Sequence, residues 1–364
     1  MQSLFSGIYK DKTVLVTGHT GFKGSWLCFW LKQMGAKVVG YSLEAPTNPN
    51  HFELLNLDIT SIKGNIKDLE HLNTVFQTYK PDIVFHLAAQ ALVKYSYENP
   101  IETYETNVMG TLKVFEASRI NNVKAIVNIT SDKAYENREW IWGYRENDPM
   151  GGYDPYSSSK GCADILTNSY RNSFFNIKDY KKTHNTLIAT CRAGNVIGGG
   201  DWAKDRLITD IMISVSIGKK VSIRNPKATR PWQHVLEPLS GYLQIGQKLL
   251  EEKVEFAEAW NFGPSDEGSI TVEEVVQNVK KHWDKIDYEI NKAPNQLHEA
   301  NLLKLDCTKA NTILKWKDVW DSETTFEKTV KWYKAYYENN KVLTSEDLEN
   351  YIKEAVGKNI VWTN

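Results

Sequence analysis

The sequence predicts an α/β fold of the Rossmann type: a doubly wound parallel sheet with a smaller, interleaved C-terminal lobe that binds substrate. Three observations predict it. Short β-branched runs alternate with helix-length segments through the first half of the chain, and that alternation implies a parallel sheet covered on both faces. The first run, at 13–17, leads straight into glycines at Gly18, Gly21 and Gly24. The residues able to do chemistry cluster where such runs end, and open α/β sheets carry their sites at the carboxyl ends of strands.

Taken in order, the apolar runs predict strands at 13–17, 37–41, 61–65, 83–88, 125–130 and 187–192. Helices are expected at 25–34, 68–79, 100–121 and 155–175, the last with Pro155 in its first turn, where no amide donor is needed. The loops after Thr17, Ala89, Thr130 and Arg192 should then converge on one crevice. Beyond Gly194 the pattern loosens. Helices are expected at 206–217, 238–250, 272–283 and 324–337, one more strand at 260–262, and a surface helix with a tail at 345–364. No linker separates the parts, so we divide the chain into a nucleotide-binding domain over 1–193, catalytic residues included, and an interleaved substrate lobe over 194–364.

The 364 residues, 41% hydrophobic and 24% charged, suffice for a large core. A net charge of −1 and the lack of a long basic run leave no source for counterion-driven nucleic-acid binding. The longest apolar run, 26–31, is too short to cross a membrane, and residues 1–11 lack the apolar stretch of a signal peptide. Cys28, Cys162, Cys191 and Cys307 are far apart and form no metal-spaced pair, which favours reduced thiols in a cytoplasmic protein and no metal site.

A glycine triplet alone serves many turns. Between a strand and a helix it is the signature of a dinucleotide site. Glycine permits the tight turn and the close approach to a pyrophosphate, and the helix start offers N–H groups to the anion. Thr20 and Phe22 lie in the same loop. After the second strand, Ser42 stands where an acid usually holds the adenosine ribose, with Glu44 two residues on. No Arg or Lys follows closely, which favours NAD over NADP as cofactor. Asn65 occupies the place of an adenine-contacting Asp after the third strand.

Tyr156 and Lys160 are four residues apart on one predicted helix and share a face. A phenol with a pKa near 10 acts as a base at neutral pH only with help. Lowering it by about 3 units takes roughly 4 kcal/mol, within reach of two cations in a dehydrated site. Ser131, Asp132 and Lys133 place a hydroxyl, an acid and a base in succession at the end of a buried strand. Turns also favour Ser and Asp, but a turn alone does not need this run at that place.

Seven segments carry a wider likeness: TGHTGFKGSWL from Thr17, HLAAQ from His86, NVMGT from Asn107, ITSDKAYEN from Ile129, DPYSSSK from Asp154, RAGNVIGGGDW from Arg192 and RPWQHVLEPLSG from Arg230. Over about 12–264 the chain resembles the extended short-chain dehydrogenase/reductases, and among them the CDP-glucose 4,6-dehydratases. The resemblance implies that Ser131 and Tyr156 contact the sugar 4-hydroxyl while Lys160 holds the nicotinamide ribose. Tyr156 takes the hydroxyl proton as C4 gives hydride to NAD; Asp132 protonates the leaving C6 hydroxyl; Lys133 takes the C5 proton; hydride returns to C6. Lys133 must be neutral for that task, which requires desolvation or nearby cations. The resemblance adds Ile66, Leu87, Ala88, Ala89 and Asn107 to the cofactor site. It assigns Gln90, Asn195, Asp205, Arg206, Arg230 and His234 to a nucleotide-sugar substrate, with an Arg fork suited to diphosphate oxygens. It also implies a homodimer or homotetramer joined through the helices at 100–121 and 155–175. Trp140 or Trp142, in the loop between the two catalytic motifs, is expected to close the pocket. A 4-epimerase or decarboxylase on the same fold is the alternative; a non-enzymatic NAD-sensing regulator is a remote one.

Overall fold

In the computed structural model, which describes residues 1–223, 226–265, 269–290 and 302–364 and only the backbone of Arg230 and Ser269, strand and helix alternate from the start. The order is β1 (Thr13–Thr17), α1 (Phe22–Gln33), β2 (Lys37–Ser42), α2 (His51–Leu55), β3 (Thr60–Lys63), α3 (Leu69–Tyr79), β4 (Ile83–His86) and α4 (Val93–Glu98). Then come α5 (Pro100–Tyr104), α6 (Thr111–Ile120), β5 (Ala125–Ile129), α7 (Pro155–Asn172), β6 (Leu187–Ala193), β7 (Asn195–Ile197), α8 (Leu207–Ser216), β8 (Val221–Ile223) and β9 (Thr229–His234). The chain ends with α9 (Leu236–Leu250), β10 (Ala259–Phe262), β11 (Ser269–Thr271), α10 (Val272–His282), β12 (Tyr288–Ile290), α11 (Ser322–Asn339) and α12 (Thr344–Gly357).

Seven strands form one sheet in the order β10-β6-β5-β4-β1-β2-β3, every pairing parallel. Alternation along β1 sends Val14 and Val16 into the core on one face and Leu15 into the core on the other. That double burial is why the run is apolar without a break. The chain winds outward from β1 to β3 and then crosses back to β4, so the sheet's switch point lies between β1 and β4, where such sheets bind ligands. A three-stranded sheet, β11-β9-β7, and the pair β12-β8 stand beside it.

Three expectations change. Helix α1 begins at Phe22, three residues before the expected 25, so the glycine loop runs directly into its first turn. The helix expected over 100–121 is interrupted by a π turn at Glu105–Gly110, a feature common at functional sites. The expected surface helix and tail are packed instead. Helix α12 buries Leu348, Tyr351 and Ala355, and Trp362 stacks on Phe5 at 5.3 Å and on Tyr351 at 5.8 Å. The cause is the apolar spacing at 348, 351 and 355, one face of a helix.

Candidate active site

The glycine loop lies on its neighbours with no room to spare. Gly18 has φ +77 and its N–H donates to Tyr41 O at 2.9 Å. A Cβ there would stand 2.7 Å from Ala88 N, and one on Gly24 would stand 2.1 Å from Gly18 O. Gly21 is the N-cap of α1 and offers no side-chain cap, so the first N–H groups of the helix remain available to an anion. Thr20 and Ser42 share a hydrogen bond of 2.9 Å. Asn65 Oδ1 accepts from Lys67 N at 3.0 Å, and its carbonyl accepts from the Tyr41 hydroxyl at 3.0 Å. Phe22, Gly21, Ile66, Leu87, Ala88 and Ala89 line the same cleft. Asn107 stands behind it: its amide donates to Gln90 O and Ser159 Oγ and accepts from Gln90 N, tying the loop after β4 to α7. Glu44 pairs with Lys63 at the end of β3, so a lysine distant in sequence does reach the loop after β2.

At the end of β5 the Ser131 hydroxyl donates to Asp132 Oδ1 at 2.9 Å, and Lys133 N donates to the same oxygen at 2.8 Å. Burial pushes the Asp132 carboxyl up, against the opposing pull of Lys133. Tyr156, in the first turn of α7, lines the same cleft as Ser131, Asp132 and Arg206, and its phenol feels all three. Asp154 caps α7 by accepting from Ser157 N at 2.9 Å, which fixes that turn. Burial pushes the phenol up to about 12. The expected help from the neighbouring ammonium is absent in the protein alone, because Lys160 Nζ turns to Ile129 O at 3.1 Å. Burial also brings Lys160 down to about 8.

On the substrate side, Gln90, Asn195, Asp205 and Arg206 line the cleft. The Gln90 amide donates to Leu92 O at 3.1 Å and Thr103 Oγ1 at 2.9 Å. Asp205 pairs with Lys94, and Arg206 with Asp201. His234 is elsewhere. It is fully buried, its ring 4.8 Å from that of Trp320 and 5.9 Å from Trp26, and burial brings its pKa down to about 3. It is a core residue because the strand that carries it, β9, turns it inward. The side chain of Arg230 lies outside the described residues. Trp140 and Trp142 do not close the cleft: Trp140 stacks on Tyr144 at 5.2 Å and packs against Leu303, and Trp142 is 65% exposed.

The cleft holds about 1780 Å³, more than the roughly 300–1,000 Å³ typical of one small ligand. It has room for a dinucleotide and a second nucleotide together. The family model of GDP-mannose 4,6 dehydratase matches residues 15–331. The chain belongs to this dehydratase family. Among the family's relatives, the CDP-glucose 4,6-dehydratase of Salmonella typhimurium is 53% identical over 94% of this chain and 97% of its own length. An epimerase from Methanothermobacter thermautotrophicus superposes with TM-score 0.76 at 25% identity, covering 93% of this chain and 95% of that one. A UDP-glucose 4-epimerase from Stenotrophomonas maltophila, solved with bound NAD, superposes with TM-score 0.78 over 90% of this chain and 99% of that one, at 21% identity, a likeness of fold.

One residue that lines this dehydratase-family cleft and one buried behind it escaped sequence reasoning. Lys23 lines the cleft because α1 starts early. Arg192 is buried, forking onto Asp164 at 2.8 and 3.1 Å and donating to the Tyr135 hydroxyl. Asp164 in turn accepts from Thr130 at 2.7 Å. Arg192 thus braces the end of β5 just before Ser131, Asp132 and Lys133. Its place in a buried strand was the available signal, since a buried guanidinium needs partners.

Proposed function

We propose that the chain is an NAD-dependent CDP-glucose 4,6-dehydratase, a hydro-lyase that converts CDP-glucose to CDP-4-keto-6-deoxyglucose. One observation carries the reading: an acid, Asp132, and a phenol, Tyr156, meet through Ser131 in one cleft. An epimerase or decarboxylase needs the phenol but expels no C6 hydroxyl, and so needs no acid placed to protonate one. The likeness to the Salmonella typhimurium enzyme supports the cytidine and glucose parts of the substrate.

The cofactor fits this chain: the Gly18 and Gly24 approaches and the uncapped start of α1 suit a pyrophosphate. Gly18, Thr20, Gly21, Phe22 and Gly24 would hold that group, Ser42, Asn65 and Ile66 the adenosine end, and Leu87, Ala88, Ala89 and Lys160 the nicotinamide side, with Asn107 bracing them. Bound NAD supplies the hydride acceptor, the later hydride donor and a positive ring beside Tyr156. Ser131 orients the 4-hydroxyl and Tyr156 takes its proton. The 4-ketone makes the C5 proton acidic, and Lys133 removes it. Asp132, whose carboxyl burial pushes up, gives its proton to the leaving C6 oxygen. Ser131, which neighbours both, offers a path for the proton on Tyr156 to replace the one Asp132 has lost. Gln90, Asn195, Asp205 and Arg206 bind the nucleotide sugar, with Arg206 toward the diphosphate.

The test is a panel of nucleotide sugars with NAD, read by mass spectrometry. Loss of water from CDP-glucose is expected; a product of unchanged mass overturns the reading. Assembly as a homodimer is part of the proposal, supported by exposed apolar residues on the helix pair, Ile101 and Met109 with Ile165 of α7. Ile165→Glu should halve the mass seen by light scattering; an unchanged dimer speaks against this face. A cytoplasmic location is supported by four free cysteines. No helix among the described residues is long and apolar enough to cross a membrane.

A further inference from the structure

One buried histidine has no part in the scheme above. His51 opens α2 and borders the cleft. It is 2% exposed, and burial brings its pKa down to about 3, so its ring is neutral and carries a single N–H. Both ring nitrogens are engaged. Nδ1 lies 2.8 Å from the Ser25 hydroxyl on α1, and Nε2 lies 2.7 Å from the Thr344 hydroxyl at the start of α12, 293 residues further along the chain. The flanking bonds settle which atom donates. Ser25 Oγ gives its hydrogen to Phe22 O at 2.9 Å, so it accepts from Nδ1–H. Nε2 then carries no hydrogen and accepts from Thr344, whose oxygen in turn accepts from Trp332 Nε1 on α11 at 3.1 Å. One unbroken line of hydrogen bonds runs from Trp332 through Thr344, His51 and Ser25 to the carbonyl of Phe22, the first residue of α1.

The same ring supports the loop after β7. Trp26 stacks on it with centroids 5.0 Å apart and donates from Nε1 to Gly199 O at 2.9 Å. Gly200, at φ +90, lies so close that a Cβ there would stand 2.5 Å from the ring's Cδ2. The next residue, Asp201, holds Arg206 and is itself clasped by Tyr333 of α11: its N–H donates to the Tyr333 hydroxyl at 2.9 Å, and its carbonyl accepts from that hydroxyl at 2.5 Å. An apolar side chain at 51 would fill the volume at less cost, because a buried imidazole needs a partner for each nitrogen. A fully satisfied polar line gives what apolar contact does not, one fixed spacing between the elements it joins. Here those elements are the first turn of α1, with its uncapped N–H groups, and the C-terminal helices α11 and α12.

We propose that His51 is a positioning residue for the dinucleotide site: it transmits the hold of α11 and α12 to the first turn of α1, so that the anion-binding N–H groups are set in place before the cofactor arrives. The proposal rests on the dinucleotide reading of the cleft and is independent of which sugar is turned over. Without the line, the first turn holds its binding geometry for only a fraction of the time, and the apparent Kd rises by the inverse of that fraction. A fall of that fraction to about one tenth raises Kd about tenfold.

Thr344 is the place to test it, since it is buried away from the cleft. Thr344→Val keeps the volume and removes the hydroxyl; Thr344→Ser keeps the hydroxyl and removes a methyl. NADH binding to the protein alone is read by fluorescence titration. It should weaken about tenfold in Thr344→Val and in His51→Leu and stay within about twofold of the parent in Thr344→Ser, although both Thr344 variants lower the melting temperature. A Kd that follows the melting temperature rather than the hydroxyl, or one unchanged in Thr344→Val and His51→Leu, overturns the proposal and leaves the line a stabilising contact. The double variant of His51→Leu with Thr344→Val should bind no more weakly than His51→Leu, because the two act in one line; additive losses contradict that. A parent that does not bind NADH overturns the dinucleotide reading and this proposal with it.

Discussion

Asp132 and Tyr156 carry opposite demands in one dry place. The acid must hold its proton until the C6 oxygen leaves, and burial serves that end. The phenol must lose its proton, and the same burial opposes it, pushing it to about 12. The two residues should therefore separate under mutation. Asp132→Asn should lower dehydration by about 10²–10⁴ while oxidation at C4 continues, so absorbance of the reduced cofactor should build up. Tyr156→Phe should lose dehydration without that build-up. If both variants behave alike in a spectrophotometer, the division of roles is wrong. That the residues proposed for catalysis share one cleft was legible because their spacing is local: four residues on a helix, three at a strand end. The direction of the Tyr156 shift was not, since burial, its largest cause, depends on how distant parts of the chain pack. His234 was misplaced for a related reason, as its motif lies on a strand that turns alternate residues into the core.

At the scale of elements, strand β5 delivers Ser131, Asp132 and Lys133 to the cleft, and the Arg192–Asp164 pair braces its end. Breaking a buried pair leaves an uncompensated charge and costs about 3–5 kcal/mol. Arg192→Met should lower the urea midpoint accordingly, with the slope unchanged; a loss below about 1 kcal/mol would show that the pair is dispensable. The strands were legible because double burial makes them apolar throughout. The start of α1 was not, because Phe22, Lys23 and Gly24 read as loop and no capping side chain marks the first turn. That misreading hid Lys23. The π turn at Glu105–Gly110 was equally hidden, since one extra residue in a helical turn leaves the apolar period almost intact.

The whole molecule is closed by its last residues. Glu237 on α9 accepts from Val319 N at 3.0 Å, Trp320 N at 2.8 Å and the Tyr351 hydroxyl at 2.7 Å, so it joins the core to α12. Burial raises its carboxyl from 4.5 to about 8. Between those values the folded protein keeps a proton that the unfolded chain has released. Stability contributed by this group is therefore full below about 4.5 and is lost as pH rises to about 8. Melting temperatures across that range should fall more steeply in the parent than in Glu237→Gln; parallel curves would contradict the shift. The packing of the C-terminal residues was open to a helical-face reading of 348, 351 and 355, but their partners, Phe5 and Trp30, lie at the other end of the chain.

On the proposed mechanism one cleft oxidises C4, expels the C6 hydroxyl and returns the same hydrogen to C6. CDP-glucose carrying deuterium at C4, incubated with the protein and NAD, tests it most directly by mass spectrometry and NMR of the product. A product lighter by one water with deuterium at C6 is the result the account predicts. A product of unchanged mass with deuterium still at C4 would contradict it.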